Sequence, residues 1–201
     1  MSIPSSMNIP SEPWLSHIRL PDGRALAVDI GANRGEWSRA LSLKFQKVIA
    51  VEPDERAYSH IGEIPRVEIA KHAVAEKTGT ATLYMRPMPD QNSLLESHPV
   101  GAGGGVEAPV TDQLLVTVVS MDDLFPEGAD FVKMDIEGGE VAALRGCKSV
   151  DNWQRTTFLV ECHDTFAEVS NELQRLGKTV ERIPHPFPGH PGHCWAIGVA
   201  N

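Results

Sequence analysis

Eight residues constrain this chain more than any others: Val28-Asp29-Ile30-Gly31-Ala32-Asn33-Arg34-Gly35. They close the apolar run Ala25–Ile30, which reads as a strand, and lead into a helix predicted over Glu36–Lys44. Gly31 and Gly35 allow the backbone to approach a ligand and to adopt angles closed to other residues. Open α/β sheets bind ligands beyond the carboxyl ends of their strands, where this turn lies. A second strand, Val48–Val51, ends at Glu52, 21 positions beyond Gly31. An acid at that spacing can accept hydrogen bonds from both hydroxyls of a ribose. Pro53 and Asp54 then suit a helix start, with the helix running to about Ile61. The glycine turn, the helix and the acid together predict a nucleoside cofactor.

The rest of the chain repeats the alternation of apolar runs and helix-like stretches that marks βαβ units and a largely parallel sheet. Further strands are predicted over Val67–Ala70, Thr80–Met85, Leu114–Val119, Phe131–Ile136 and Phe158–Glu161. Thr80–Met85 alternates like a half-exposed strand. Helices are predicted over Glu140–Arg145, capped by Gly146, and over Phe166–Leu176, stopped by Gly177. Thr179–Ile183 and Cys194–Val199 close the chain with no helix between them, so they form an antiparallel hairpin. The 201 residues fit one α/β domain, 1–201, with residues 1–20 as an N-terminal arm and 87–112 as a substrate loop or lid.

Asn33 discriminates between cofactors. A dinucleotide turn, G-x-G-x-x-G, has glycine at this position so that the backbone can reach a pyrophosphate. S-adenosylmethionine carries no phosphate, so a side chain is tolerated, and the turn points to that cofactor. An NAD-dependent oxidoreductase is the rival on a similar sheet, and a nucleoside-binding module without catalysis is another.

Two more clusters fall at predicted strand ends. The first is Asp130-Phe131-Val132-Lys133-Met134-Asp135-Ile136-Glu137-Gly138-Gly139-Glu140. Asp135 and Glu137 stand at the working edge, where carboxylates can hold a cationic amine, a substrate or a divalent ion. Glu140 suits the first turn of the following helix. Lys133, inside an apolar run, must pair with an acid or reach the surface. The second cluster is Glu161-Cys162-His163-Asp164. His163 is the candidate general base, because an imidazole takes protons near neutral pH. Asp164 is a candidate substrate contact.

The formal net charge of −9 gives no broad attraction for phosphate backbones, so a small-molecule substrate is expected rather than nucleic acid. No segment approaches the ~20 apolar residues of a membrane span. The Ser- and Pro-rich start lacks a secretory signal, and a cytoplasmic location is the default expectation. Cys147, Cys162 and Cys194 have no CxxC spacing, which argues against a disulfide framework. His185, His190, His193 and Cys194 are residue types that zinc accepts, but their spacing fits no zinc motif, and a metal is not the favoured reading. Oligomeric state is left open, a homodimer included.

The blocks Val28–Gly35, Val51-Glu52-Pro53 and Asp130–Gly138, in this order, resemble the FkbM family of S-adenosylmethionine-dependent methyltransferases, over about Ala25 to Val199. The resemblance implies a class I, Rossmann-like methyltransferase fold. That fold is a three-layer sandwich around a seven-stranded, mostly parallel sheet whose last strand is antiparallel. It also implies methyl transfer, commonly to a hydroxyl of a sugar or secondary metabolite, with amine and carboxylate acceptors as alternatives. Carried over by position, Gly31, Asn33 and Gly35 line the methionine side and Glu52 the ribose; Asp29 and Asp135 are placed to fix the methionine end, and Pro53, next to Glu52, is a further cofactor contact. His72 and Ala73 fall where the family places Asn-x-Ala near the adenine, with histidine replacing asparagine. Ser93-Leu94 matches a Ser-Leu element of the substrate loop, and Trp14 is a possible aromatic wall.

Overall fold

The computed structural model describes residues 25–97, 108–185 and 193–200. The N-terminal arm with Trp14, the glycine run 101–105 and His190 lie outside them.

β1 (Leu26–Ile30) runs into α1 (Glu36–Ser42), and β2 (Lys47–Val51) into α2 (Glu55–Tyr58). β3 (Val67–Ala70), β4 (Ala73–Val74), β5 (Gly79–Met85) and β6 (Asp112–Val119) follow, then α3 (Met121–Leu124) and β7 (Phe131–Met134). α4 (Glu140–Arg145), α5 (Val150–Trp153), β8 (Thr157–His163), α6 (Phe166–Arg175), β9 (Lys178–Pro184) and β10 (His193–Ala200) complete the order.

Seven strands form the main sheet in the order β3-β2-β1-β7-β8-β10-β9. The pairs from β3 to β8 are parallel. β10, antiparallel to both neighbours, is inserted between β8 and β9. This is the predicted sheet with its antiparallel last strand.

The strands Thr80–Met85 and Leu114–Val119 do not join it. β5 and β6 pair antiparallel with each other, and β4 adds to β6 to make a separate three-stranded sheet. Their exposed alternate residues suit a sheet covered on one face only.

Three helices differ from expectation. α2 ends at Tyr58 rather than near Ile61, because the next amides, His60 and Ile61, bond three residues back instead of four. The short α3 and α5 carry too few residues for a helical period to be read.

Period-two alternation divides the core between the two faces of the main sheet. Val28, Ile30, Val132, Met134, Val160 and Cys162 pack toward Ala143 and Leu144 of α4 and Val169 and Leu173 of α6. Ala27, Phe131, Leu159 and Trp195 pack toward Trp37 and Leu41 of α1. The Trp37 and Trp195 rings lie 5.7 Å apart. Each buried side chain of this size contributes about 1.5–3 kcal/mol. The three cysteines are free and buried. No helix among the described residues is long and apolar enough to cross a membrane.

Candidate active site

β1 lies between β2 and β7, so the loops that leave these three strands converge at one edge of the sheet. There they border a cleft of about 660 Å³, counting the space open to solvent. Its other wall is the segment after β5, through Pro89, Asp90, Asn92, Ser93 and Leu94. Val51, Val74, Leu83 and Leu94 give it apolar surface.

Gly31 makes the convergence possible. It sits at φ +73°, and a Cβ there would come within 1.8 Å of the Asp135 carbonyl oxygen. The glycine is thus required by the β7 loop crossing against it as well as by its own backbone angle. Gly35, at φ +83°, faces Ile61 and Ile64 and does not line the cleft. It starts α1 and lets the helix seat against the α2 region. Its place is structural, which differs from the cofactor contact expected for it.

Glu52 lines the cleft and is buried. Its Oε2 accepts from the Asn33 amide and its Oε1 from the Asp54 amide, each at 2.9 Å. Burial pushes its pKa up to about 7, against the lowering effect of those two amides. Asn33 is held at φ +45°, a conformation asparagine tolerates better than most residues. Its Oδ1 and the Nδ1 of His72, both in cleft-lining residues, are buried without a hydrogen-bond partner among the described residues. Pro53 and Ala73 line the same end.

Asp29, expected to serve the methionine end, is fully buried and is not a lining residue. Its Oδ2 accepts from the Ser38 hydroxyl of α1 at 2.6 Å, and its Oδ1 lies 3.6 Å from Lys133 Nζ. Burial raises its pKa against the pull of Lys133. Lys133 is paired, as its place in an apolar run requires. It donates to the Gly31 carbonyl at 3.3 Å and lies 3.5 Å from Asp135 Oδ2. The ammonium therefore ties the ends of β1 and β7 together, and Asp29 acts through it.

The opposite end of the cleft carries Asp135 and Glu137. Burial raises the pKa of Asp135; Lys133 opposes this and the Glu137 charge adds to it. Glu137 holds φ +53°, a strained angle for a long side chain. Behind them stands His163, only 2% exposed and absent from the cleft lining. Its Nδ1 donates to Glu140 Oε1 at 3.1 Å, while its Nε2 is 3.5 Å from Glu137 Oε2 and 3.9 Å from Asp135 Oδ1. Burial works against charge on this ring, but the hydrogen bonds and charges of Glu137 and Glu140 outweigh it, and its pKa is raised well above the usual value. A ring this enclosed reaches the cleft only through the two carboxylates. Its placement is that of a positioning residue rather than the exposed base expected from the sequence.

Ser93 is in place but committed: its hydroxyl donates to the Glu137 carbonyl at 2.7 Å. Asp164 is exposed at φ +59° on the turn after β8 and does not line the cleft, in contrast to the substrate contact expected for it. The zinc reading of His193 with Cys194 fails on alternation. Adjacent strand residues face opposite sides. Cys194 packs into the α4–α6 core, whereas the His193 ring lies 4.7 Å from that of His163.

Sequence reasoning missed Asn92, which lines the cleft and donates to Asp54 Oδ2 at 2.8 Å. It missed Arg86, buried and bonded to the carbonyls of Tyr84, Gln91 and Glu96. It also left Glu140 divided between a first-turn acid and a functional one. That residue is fully buried and accepts from the Ile136 and Gly138 amides as well as from His163. An arginine and an asparagine in a Pro-rich loop were the available signal, but no local period marks them.

The sheet order, the antiparallel insertion of β10 and a cleft over the ends of β1, β2 and β7 define a class I, Rossmann-like methyltransferase fold. The sequence profile described as the methyltransferase FkbM domain matches residues 29–180, and the chain belongs to that family. Methyltransferase FkbM from Methylobacillus flagellatus KT superposes with a TM-score of 0.63 at 18% identity, over 90% of this chain and 45% of that one. This chain thus spans less than half the length of that relative. Precorrin-6y C5,15-methyltransferase from Geobacter metallireducens GS-15 gives 0.50 at 13% identity, over 90% and 82% of the two chains. The ribosomal protein L11 methylase from Lactobacillus delbrueckii subsp. bulgaricus also gives 0.50, at 9% identity over 89% and 71%. No curated protein sequence matches the chain at a significant level.

Proposed function

We propose that this chain is an S-adenosylmethionine-dependent methyltransferase acting on a hydroxyl group of a small molecule. The observation that carries the cofactor assignment is the cleft end built by Asn33, Glu52 and His72. Two buried polar atoms there, Asn33 Oδ1 and His72 Nδ1, lack partners among the described residues, beside a buried carboxylate. Buried polar atoms without partners are costly, and a bound nucleoside would satisfy them. Glu52 keeps free lone pairs on both oxygens for the ribose hydroxyls, since each accepts one amide. Val51, Val74 and Leu83 suit an apolar base. Asn33 fills the position where a pyrophosphate would need glycine, which favours this cofactor over NAD.

When bound, the cofactor supplies a methyl group already activated by its sulfonium. The task left to the protein is alignment and exclusion of water. Lys133 fixes the β1 and β7 loops against each other, so the cofactor end and the acceptor end of the cleft keep their spacing. Asp135 and Glu137, backed by His163, present oxygens to which an acceptor hydroxyl can donate. Residues 87–112, of which Pro89 to Leu94 already wall the cleft, act as the substrate loop of a single domain. The acidic net charge of −9 favours a small acceptor over a nucleic acid.

The test is calorimetry with S-adenosylhomocysteine, with NAD as control. Saturable binding of the former is expected, weakened about 30-fold or more in Glu52→Ala, the loss of hydrogen bonds to a charged group. Equal affinity in that variant would remove the ribose assignment, and binding of NAD alone would overturn the cofactor. Turnover on a panel of hydroxyl, amine and carboxylate compounds then identifies the acceptor.

A further inference from the structure

We propose that the acceptor end of the cleft holds one divalent transition-metal ion, ligated by Asp135, Glu137 and His163. The sequence leaves a divalent ion at Asp135 as a reading that is not favoured.

Three observations meet there. The first is donor geometry. One ligand atom from each of Asp135, Glu137 and His163 lies within 4.8 Å of the others. The Nε2 separations of 3.5 Å to Glu137 and 3.9 Å to Asp135 are close to ion spacing. Two donors each bonded to one ion stand about 3–3.6 Å apart.

The second is the far side of the ring. His163 Nδ1 is engaged by Glu140, which is fully buried and anchored by two backbone amides. That contact keeps a proton on Nδ1, so that an ion replacing the proton on Nε2 would meet its lone pair between the two carboxylates. A histidine that binds a metal nearly always has its other nitrogen held in this way, which fixes the tautomer and makes the ligand more basic.

The third is charge. Asp29, Asp135, Glu137 and Glu140 bring four carboxylates into one connected network. The cations that face them are Lys133 and the His163 ring. Four acids against two cations leave a partly buried acidic site, which a bound cation would offset. The space between Nε2 and the two carboxylates is where one would sit.

Imidazole with two carboxylates selects an ion of the zinc, manganese or iron type rather than magnesium. Glu161 and His193 form a second group with His163. Their donors lie on the β8–β10 side, away from the cleft residues, and the ion is assigned to the Asp135–Glu137 side. If the methyltransferase reading holds, the ion would take the acceptor oxygen as a further ligand and so orient it; this clause alone rests on that reading.

The experiment uses the full chain, freed of metal by chelation and dialysis. It is titrated with Zn²⁺ by calorimetry and with Co²⁺ by visible absorption, and S-adenosylhomocysteine binding is measured on the same preparation. One equivalent of ion is expected, with Co²⁺ bands that Zn²⁺ displaces. Glu140→Gln should weaken binding about 10- to 100-fold. His163→Ala and Glu137→Gln should abolish it while the homocysteine still binds. Glu137 lies on a partly exposed loop, so its variant decides the matter if His163→Ala fails to fold.

Wild-type protein that binds the homocysteine but no stoichiometric ion would overturn the metal and leave the cofactor reading standing. Ion binding without homocysteine binding would do the reverse. Binding that survives Glu137→Gln but is lost in His193→Ala would overturn the assignment to this side of the ring.

Discussion

The two ends of the cleft are built on different principles. At the cofactor end, Glu52 is gripped by the amides of Asn33 and Asp54, and the contacts run between the turn after β1 and the turn after β2. Backbone supplies the donors, so the geometry follows once two adjacent parallel strands are in register. At the acceptor end every contact depends on a side chain reaching across from another element. Lys133 reaches Asp29 and Asp135, His163 reaches Glu140, and Ser93 crosses to the Glu137 carbonyl. The first end is rigid because the sheet is rigid. The second is a balance of charges in which each group depends on the others, the arrangement suited to a site that must vary its substrate within one fold.

Where the two ends touch, at Gly31 against Asp135, a substitution should damage both. Gly31→Ala meets the Asp135 carbonyl and an unfavourable φ together. A loss of about 3 kcal/mol or more is expected, roughly 10 °C in Tm, read by thermal unfolding. A variant as stable as the wild type would mean that the loops are not pressed together as described.

The cofactor end can be isolated through Glu52. Its folded pKa of about 7 lies above the ordinary value of 4.5, so in that window the folded chain binds the proton more tightly than the unfolded chain. The stability from this group is full below pH 4.5 and is lost as pH rises through 7. Its loss is on the order of 3 kcal/mol. Glu52→Gln lacks this titration. Denaturant unfolding of both proteins across pH 4.5–8 should show the wild type losing stability relative to the variant; a constant difference would show that the carboxyl is not desolvated.

The smallest effect belongs to the acceptor end. Ser93→Ala removes the hydroxyl that holds the Glu137 peptide, worth about 1 kcal/mol. On the proposed activity it should raise KM for the acceptor several-fold and leave homocysteine affinity unchanged. An equal loss in both would show that the two ends are coupled rather than separate.

The main sheet was legible because its evidence is local. Apolar runs of strand length, alternating with helices, predict β1, β2, β3, β7 and β8, and the absence of a helix after β9 predicts the antiparallel hairpin. The small β4-β6-β5 sheet was not. Thr80–Met85 and Leu114–Val119 read as strands, but which strands they pair with is a long-range choice that period-two alternation does not record. At the cofactor end the spacing from Gly31 to Glu52 was informative because that distance is set by one βαβ unit. Gly35 shows the limit, since a positive φ was foreseeable but the neighbours that occupy its open side, Ile61 and Ile64, were not.

By itself, the sequence determined the α/β alternation, the convergence of a glycine turn with an acid at the sheet edge, and the need for Lys133 to find a charge partner. Only the tertiary structure decided that Asp29 shares that ammonium with Asp135 from behind the cleft rather than walling it, that His163 is buried between Glu140 and the two carboxylates, and that Asp164 faces solvent. The physical reason is the range of the forces involved. Periodicity and turn geometry act within a few residues, whereas the state of a buried charge depends on which other charges the fold brings within 4 Å, and these come from strands far apart in the chain.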